Sequence, residues 1–181
     1  IVFASMTIPL ALDNNWTTAA WALEGAAMIW VGVRQHRQMA RIFALLLQLG
    51  AAWIFIESVF YPFGASAFLN RYFFGCIFIS GSAFFTSYYL YIHRNQLRKW
   101  ERYLHVPLLI WGMAWWYYGG IRETDRHFSM LKDHNAFLLF SCASTMFFSI
   151  MARKIKWRQL SVAQCVLLPA MCFSLLLGLL D

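Results

Sequence analysis

Long apolar stretches separated by short polar ones follow one another along the whole chain. Six of them are roughly 17 to 22 residues long, which is the length that crosses a bilayer core of about 30 Å as an α-helix. A seventh, at the start, is too short to cross. The pattern predicts an all-α, polytopic transmembrane helical bundle with six full spans and part of a seventh, from the apolar runs 1–12, 16–33, 42–61, 72–93, 103–121, 136–152 and 160–180.

Composition supports the membrane class. Hydrophobic residues make up 61% of the chain and charged residues only 13%, whereas soluble domains have about 45–50% and about 25%. The first apolar run, IVFASMTIPLAL, begins with Ile1 and has neither a basic leader nor a small-residue cleavage site, so it does not resemble a signal peptide. We interpret it as the end of a helix and residues 1–181 as one transmembrane bundle, a fragment of a longer polytopic protein.

The positive charge predicts an orientation. Most of the 15 Lys and Arg residues lie in three segments, 34–41, 94–102 and 153–159, that alternate with loops of low positive charge. By the positive-inside rule these three segments are cytoplasmic. The net charge of +7 is then explained by topology and contact with the lipid bilayer, and nucleic acid is not a predicted partner.

The second apolar run contains one carboxylate, Glu24, in the sequence WTTAAWALEGAAMIWVGV. Counted from Trp16, Glu24 lies about 12 Å deep, near the bilayer midplane. Its helical neighbours include Thr17, Ala20 and Ala27, so we expect the carboxylate to face the interior of the bundle. Ionisable groups inside a span are costly and mark ion or proton pathways. The alternative is a neutral glutamic acid hydrogen-bonded to a neighbouring helix.

Further polar side chains give candidate contacts for an ion, a proton or a small-molecule substrate. Gln48 and Glu57 both belong to the next run, but their spacing of two and a half helical turns puts them on opposite sides. One of the two is therefore expected to face Glu24. Asp13, just before the second run, is the fourth candidate.

Two stripes of small and hydroxyl residues predict helix packing. Their members recur every three or four residues, which places each stripe on one helix face. Lipid tails provide no hydrophobic drive for helices to associate, so helices pack where small residues let their backbones approach closely. A hydroxyl-lined substrate path is the alternative. The stripes are Cys76, Ser80, Ala83 and Ser87, and Ser141, Thr145 and Ser149.

Residues 8–51, IPLALDNNWTTAAWALEGAAMIWVGVRQHRQMARIFALLLQLGA, carry a specific resemblance. The order of Asp, Trp-Thr, Ala-Trp-Ala-Leu-Glu-Gly-Ala and a Gly-x-Arg-Gln exit resembles the signature of the domain of unknown function 2339 family, predicted multi-pass membrane proteins of bacteria. Asn14 stands where that family commonly has Gly. The resemblance implies a longer inner-membrane protein, loosely transporter-like, with Asp13 and Glu24 at the signature carboxylates.

Three function classes remain open. A transporter-like bundle with a role in the cell envelope is the one we favour. A membrane enzyme acting on lipid-linked envelope precursors would use acidic residues of the predicted outer loop 122–134, but RETDRH balances its own charges and predicts a solvated loop instead. A non-transporting envelope scaffold is the third class. His127 and His134 match no metal-ligand spacing, so neither a metal nor a cofactor is predicted.

Overall fold

The computed structural model of the chain describes residues 14–58, 71–127, 130–157, 159–161, 165, 169 and 171–172. These residues are nearly all helical and include no strand, which confirms the all-α class for this part of the chain. The long helices are α1 (Asn14–Arg34), α2 (Gln38–Ser58), α3 (Arg71–Ile92), α4 (His105–His127) and α5 (Met130–Lys154), with short 3-10 turns at Arg94–Gln96 and Glu101–Tyr103.

Three segments among the described residues are long and apolar enough to cross a bilayer: Gln38–Ile56, Tyr72–Ile92 and Ala136–Lys154. Helices α1 and α4 coincide with two further predicted runs. Neither of them is as apolar as these three segments, so among the described residues the structure supports three of the six predicted spans. The predicted run 1–12 and most of 160–180 lie outside the described residues.

Two predicted loops are shorter in the structure. Only residues 35–37 connect α1 to α2, because α2 begins at Gln38 and includes the end of the segment 34–41. The predicted outer loop 122–134 is wrong, since α4 continues to His127 and α5 begins at Met130. In both cases the boundary was placed where the apolar run stops, whereas Arg, Gln and Glu are good helix formers and continue the helix.

A left-handed residue ends α1 and α5 in the same way. His36 has φ 54° and Lys156 has φ 52°. After α1, the Arg37 N–H donates to the Gly32 carbonyl at 2.9 Å and the His36 N–H donates to the Val33 carbonyl at 3.2 Å. This is the Schellman pattern, which satisfies the last carbonyls of a helix and reverses the chain. The cap explains how three residues suffice to join α1 to α2.

The chain divides into two compact units, Ile1–Trp116 and Tyr117–Asp181. In the first unit α1 packs against α2 and α3. The predicted packing stripe of α3 is fully buried there, as expected for a helix contact. The buried core consists of one cluster of Ala22, Ala51, Ala52, Phe55, Tyr72, Cys76, Ile79 and Trp115, and another of Ile29, Val33, Ala44, Leu90 and Leu97.

Two glycines allow α1 and α2 to approach closely. A Cβ atom on Gly25 would lie 2.7 Å from Gln48 Cγ, and one on Gly32 would lie 2.9 Å from Arg41 Cγ. Each glycine thus faces the stem of a long polar side chain of α2. Within each helix the two positions are seven residues apart, about two turns, so both pairs lie along one antiparallel contact line.

The second unit packs its end of α4 against α5. Gly120 directly faces the Phe140 ring, and Tyr117 meets the same ring edge to face at 6.1 Å. The predicted hydroxyl stripe of α5 is partly used by the helix itself. The Thr145 hydroxyl donates to the Ser141 carbonyl at 2.7 Å and the Ser149 hydroxyl donates to the Thr145 carbonyl at 2.6 Å. These two hydroxyls therefore bond the preceding turn.

Candidate functional site

Gln48 forms a buried polar contact between α2 and α3. Its side-chain N–H donates to the Thr86 hydroxyl at 2.7 Å, and Gln48 is only 5% exposed. The space for its stem comes from Gly25, where a Cβ would also lie 2.9 Å from the Ala44 carbonyl oxygen. We call Gly25, Gln48 and Thr86 the amide contact.

The amide contact has unused capacity. The Oε1 atom of Gln48 is buried and has no hydrogen-bond partner among the described residues. A buried amide oxygen without a donor costs roughly 1–3 kcal/mol. Such an oxygen is suited to accept a hydrogen bond from water or a protonated group, or to coordinate a small cation, as carbonyl oxygens do.

The amide contact lies at mid-helix depth. Gln48 is ten residues into α2, which begins at Gln38, or about 15 Å from that end at 1.5 Å per residue. Glu24 lies ten residues before the end of α1 at Arg34, so it is equally deep. In a bilayer core of about 30 Å this depth corresponds to the middle.

Glu24 lies at the edge of the packed face of α1 and not at its centre. Its side chain is half-buried, whereas the next residue, Gly25, is buried against α2. The two positions differ by about 100° around the helix. Of the neighbours expected to surround Glu24, Thr17 is buried, Ala20 is half-buried and Ala27 is exposed. The face predicted for this carboxylate is thus buried at one end only.

The structure brings Gln48 to the residue that follows Glu24, through the contact with Gly25. Glu57 belongs to α2, but its side chain is outside the described part of the chain. Asp13 lies outside the described residues altogether. The roles of these four residues in binding stay predictions.

A second buried polar contact, between Arg41 and Glu101, was missed at the sequence level. Arg41 is 5% exposed and Glu101 is 2% exposed. The Arg41 Nε donates to Glu101 Oε1 at 3.1 Å and Nη2 donates to Oε2 at 2.9 Å, while Nη1 donates to the Gly32 carbonyl at 3.0 Å. We call Gly32, Arg41 and Glu101 the ion-pair contact. Its fork-to-fork geometry is the strongest form of this pairing.

Backbone groups complete the ion-pair contact. The Arg98 N–H donates to Glu101 Oε2 at 3.1 Å, so the carboxylate also orders the segment that precedes it. The Gly32 carbonyl accepts from both Arg41 and the Arg37 N–H, which couples the ion pair to the cap of α1. Three elements therefore meet here: the end of α1, the first turns of α2 and the connection between α3 and α4.

The sequence held a signal for this contact. Glu101 is the single acidic residue in the segments 34–41 and 94–102. Arg41 precedes Gln48 by seven residues, so both lie on the same face of α2. The charge pattern assigns Arg41 to a cytoplasmic loop, and it therefore does not indicate that Arg41 lies on the packed face of a helix.

The described part of the second unit contains its own buried carboxylate. Glu123 is 1% exposed and lies in α4, next to the buried Thr124, whose hydroxyl donates to the Ile121 carbonyl at 2.9 Å. The expectation that RETDRH is a solvated loop is therefore wrong for Glu123. The charge pattern does not indicate this burial, because one helix turn can present one residue inward and the next outward, as it does with Glu123 and the exposed Arg122.

The buried side chains of His105 and Cys76 take part in helix packing. The ring nitrogen Nδ1 of His105 is 2.7 Å from the Arg102 carbonyl, and the His105 carbonyl accepts from the Ser87 hydroxyl at 2.5 Å. Cys76 lies in the apolar core as a thiol that is not part of a disulfide. Among the described residues, no group of three His, Cys, Asp or Glu side chains is placed to hold a metal ion.

The chain belongs to the family described as predicted membrane protein DUF2339, whose family model matches residues 1–181. The resemblance of residues 8–51 is therefore confirmed and extends over all 181 residues. Among curated proteins and solved structures, none matches the chain. Family membership and the apolar helices together show a membrane protein that sits in a lipid bilayer.

Proposed function

We propose that the chain forms part of a multi-pass protein of the bacterial inner membrane that moves a proton or a small cation, with Glu24 and Gln48 as contacts along the path. The observation that carries the proposal is the buried Oε1 of Gln48, which has no donor among the described residues. An acceptor of this kind at mid-bilayer depth is costly and is expected where a polar species is bound.

Glu24 and Gln48 bind the proton or cation and release it again. A carboxylate such as Glu24 can take up and release a proton or hold a cation. The amide oxygen of Gln48 can accept the same species without changing charge, while its N–H group remains fixed on Thr86 at 2.7 Å. The half-buried position of Glu24 leaves part of its carboxylate accessible, which suits a group that must exchange a proton or cation.

The topology proposed for this function follows the charge pattern. The segments 34–41, 94–102 and 153–159 face the cytoplasm, and the six spans alternate between them and the outside. Asp13 precedes α1 in the sequence, and Glu57 is the last residue but one of α2, so both are expected opposite the basic segments. In this topology both residues belong to the outer side, where their negative charge would attract a cation.

The test separates shape from ionisation at Glu24. Glu24→Gln keeps the volume and a hydrogen-bond acceptor but cannot ionise. The full chain is reconstituted in three sets of proteoliposomes that contain a pH-, sodium- or potassium-sensitive dye, and the matching ion gradient is imposed on each set. We expect Glu24→Gln to reduce the flux at least tenfold at unchanged protein abundance, and Gln48→Met to reduce it as well.

Gln35→Met is the matched control, because Gln35 is an exposed amide outside the helices; its flux should equal that of the wild type. In cells, the same variants are compared with a deletion strain for sensitivity to amphiphilic toxic compounds. A Glu24→Gln variant that conducts normally and fully complements the deletion would refute ion or proton handling. It would leave the envelope scaffold as the better interpretation.

A further inference from the structure

A strongly positive surface covers the basic end of the first unit. The segments 34–41 and 94–102, which the ion-pair contact joins, expose six cationic side chains. These residues, which we call the basic surface, are Arg34, Arg37, Arg94, Arg98, Lys99 and Arg102. The two segments are distant in sequence, and the bond from Arg41 to Glu101 holds them together.

The ion-pair contact removes the negative charge from this surface. Glu101, the single acidic residue of both segments, is 2% exposed and fully engaged with Arg41 and the Arg98 N–H. Sequence alone would assign the segment 94–102 a partly balanced charge. In the folded unit, the exposed cations of the two segments face the surroundings without an exposed acid among them.

The aromatic side chains beneath the guanidinium groups indicate how deep these groups lie in the membrane. The Arg34 guanidinium lies 5.1 Å from the centroid of the Trp30 ring, and the Arg94 guanidinium lies 5.4 Å from the Tyr91 ring. Trp100 is also largely exposed at this end. Tryptophan and tyrosine concentrate at the level of the lipid headgroups. Arginines that stack on them are held at the same level.

From this juxtaposition we infer that the basic surface binds the phosphate headgroups of anionic lipids in the protein's own bilayer. Positive charge, planar guanidinium donors and interfacial aromatic rings match a negatively charged phosphodiester at the membrane surface. The apolar helices end directly at this surface, so a lipid whose tails lie along them already has its headgroup within reach. The inference is independent of the proposed transport.

The experiment measures lipid binding by the purified full chain. The protein is incorporated into nanodiscs of phosphatidylcholine, and a fluorescent phosphatidylglycerol or phosphatidylcholine is titrated from vesicles of known composition. We expect phosphatidylglycerol to bind about tenfold more tightly, and the difference to shrink as salt is raised. The double variant Arg98→Gln with Lys99→Gln should remove most of this preference.

The control is charge-matched. Arg153→Gln with Lys154→Gln removes two exposed cations from the second unit and should change the preference less than twofold. If both double variants lose the preference for phosphatidylglycerol equally, the effect is one of general charge and the inference is overturned. A wild-type protein that binds both lipids alike would also overturn it. Tight binding of inorganic polyphosphate or an oligonucleotide that displaces phosphatidylglycerol would instead assign the surface to a soluble polyanion. Melting temperatures in a zwitterionic detergent verify that each variant is folded.

Discussion

The ion-pair contact predicts a large and specific loss of stability when one partner is changed. In Glu101→Gln, the guanidinium of Arg41 stays buried but loses its counter-charge and one of the two bonds, at 2.9 and 3.1 Å, that it makes to the carboxylate. Hydrogen bonds to charged groups contribute about 1.5–3 kcal/mol each. An uncompensated buried charge costs about 3–5 kcal/mol in total. We expect a loss of that size from the single substitution.

The double variant distinguishes a charge effect from a packing effect. Arg41→Met alone and Glu101→Leu alone should each be as harmful as Glu101→Gln, because each leaves one charged group buried without its counter-charge. Combining Arg41→Met with Glu101→Leu replaces the pair by apolar side chains, which in other proteins is often neutral or stabilising. The two single changes should therefore be strongly non-additive, with the double variant recovering more than half of the loss.

Thermal unfolding of the full chain in a mild detergent measures the effect. For a protein of this length, a loss of about 3–5 kcal/mol corresponds to a fall in melting temperature of about 6–20 °C. Arg37→Met serves as the control, since Arg37 is an exposed arginine four residues earlier, and should change stability by less than about 0.5 kcal/mol. Single variants at Arg41 and Glu101 that melt like this control would refute the reasoning.

Two further predictions follow from helix packing and charge. Gly25→Ala should cost about 1–3 kcal/mol by overpacking, because its Cβ would lie 2.7 Å from Gln48 Cγ. Gly81→Ala is the control, since its Cβ would have no atom within 4 Å, and it should be neutral or slightly stabilising in the same melting assay. Equal melting temperatures of the two variants would contradict the close helix contact. A cysteine at Gln35 should resist a membrane-impermeant thiol reagent in intact cells while one at Ser66 reacts, and the reverse pattern would overturn the orientation.

The helices themselves could be predicted from the sequence because apolar runs of membrane length carry a strong signal. All five long helices that the structure describes coincide with predicted runs. The ends of α1 and α3 agree with the predicted runs to within two residues, whereas the start of α2, the end of α4 and the start of α5 differ by more than a turn. Helix formation depends on backbone hydrogen bonds and not on lipid contact, so Gln38 and Arg41 at one end, and Glu123 at another, extend helices beyond the apolar region.

The polar contacts were only half predictable. The sequence identified Gln48 as a polar residue inside a span, but not its partner, since Thr86 belongs to a helix whose rotation depends on tertiary packing. For Glu24 the depth could be counted from Trp16, but its degree of burial depends on which helices lie beside α1. Arg41 and Glu101 were missed together, because each resembles an ordinary charge of a basic loop until the other is placed against it.

Both buried contacts follow one principle of construction. Gly25 and Gly32 provide space on α1, and a long polar side chain of α2 fills each space and continues to a third element, Thr86 in one case and Glu101 in the other. Between lipid-embedded helices the hydrophobic effect does not select which apolar face turns inward.

Polar side chains can select which face of α2 turns inward. Rotating α2 by one residue, about 100°, would move both Gln48 and Arg41 away from their glycines. The amide and ion-pair contacts therefore define the rotation and the register of α1 and α2 together. The two contacts differ in hydrogen bonding. Each guanidinium nitrogen of Arg41 and each carboxylate oxygen of Glu101 has a partner, while Gln48 retains a buried oxygen without a donor among the described residues. If the two contacts only fixed the helix register, a fully bonded pair at both positions would be sufficient. The oxygen of Gln48 without a donor is therefore the reason to expect a bound species at Gln48 and not at Arg41.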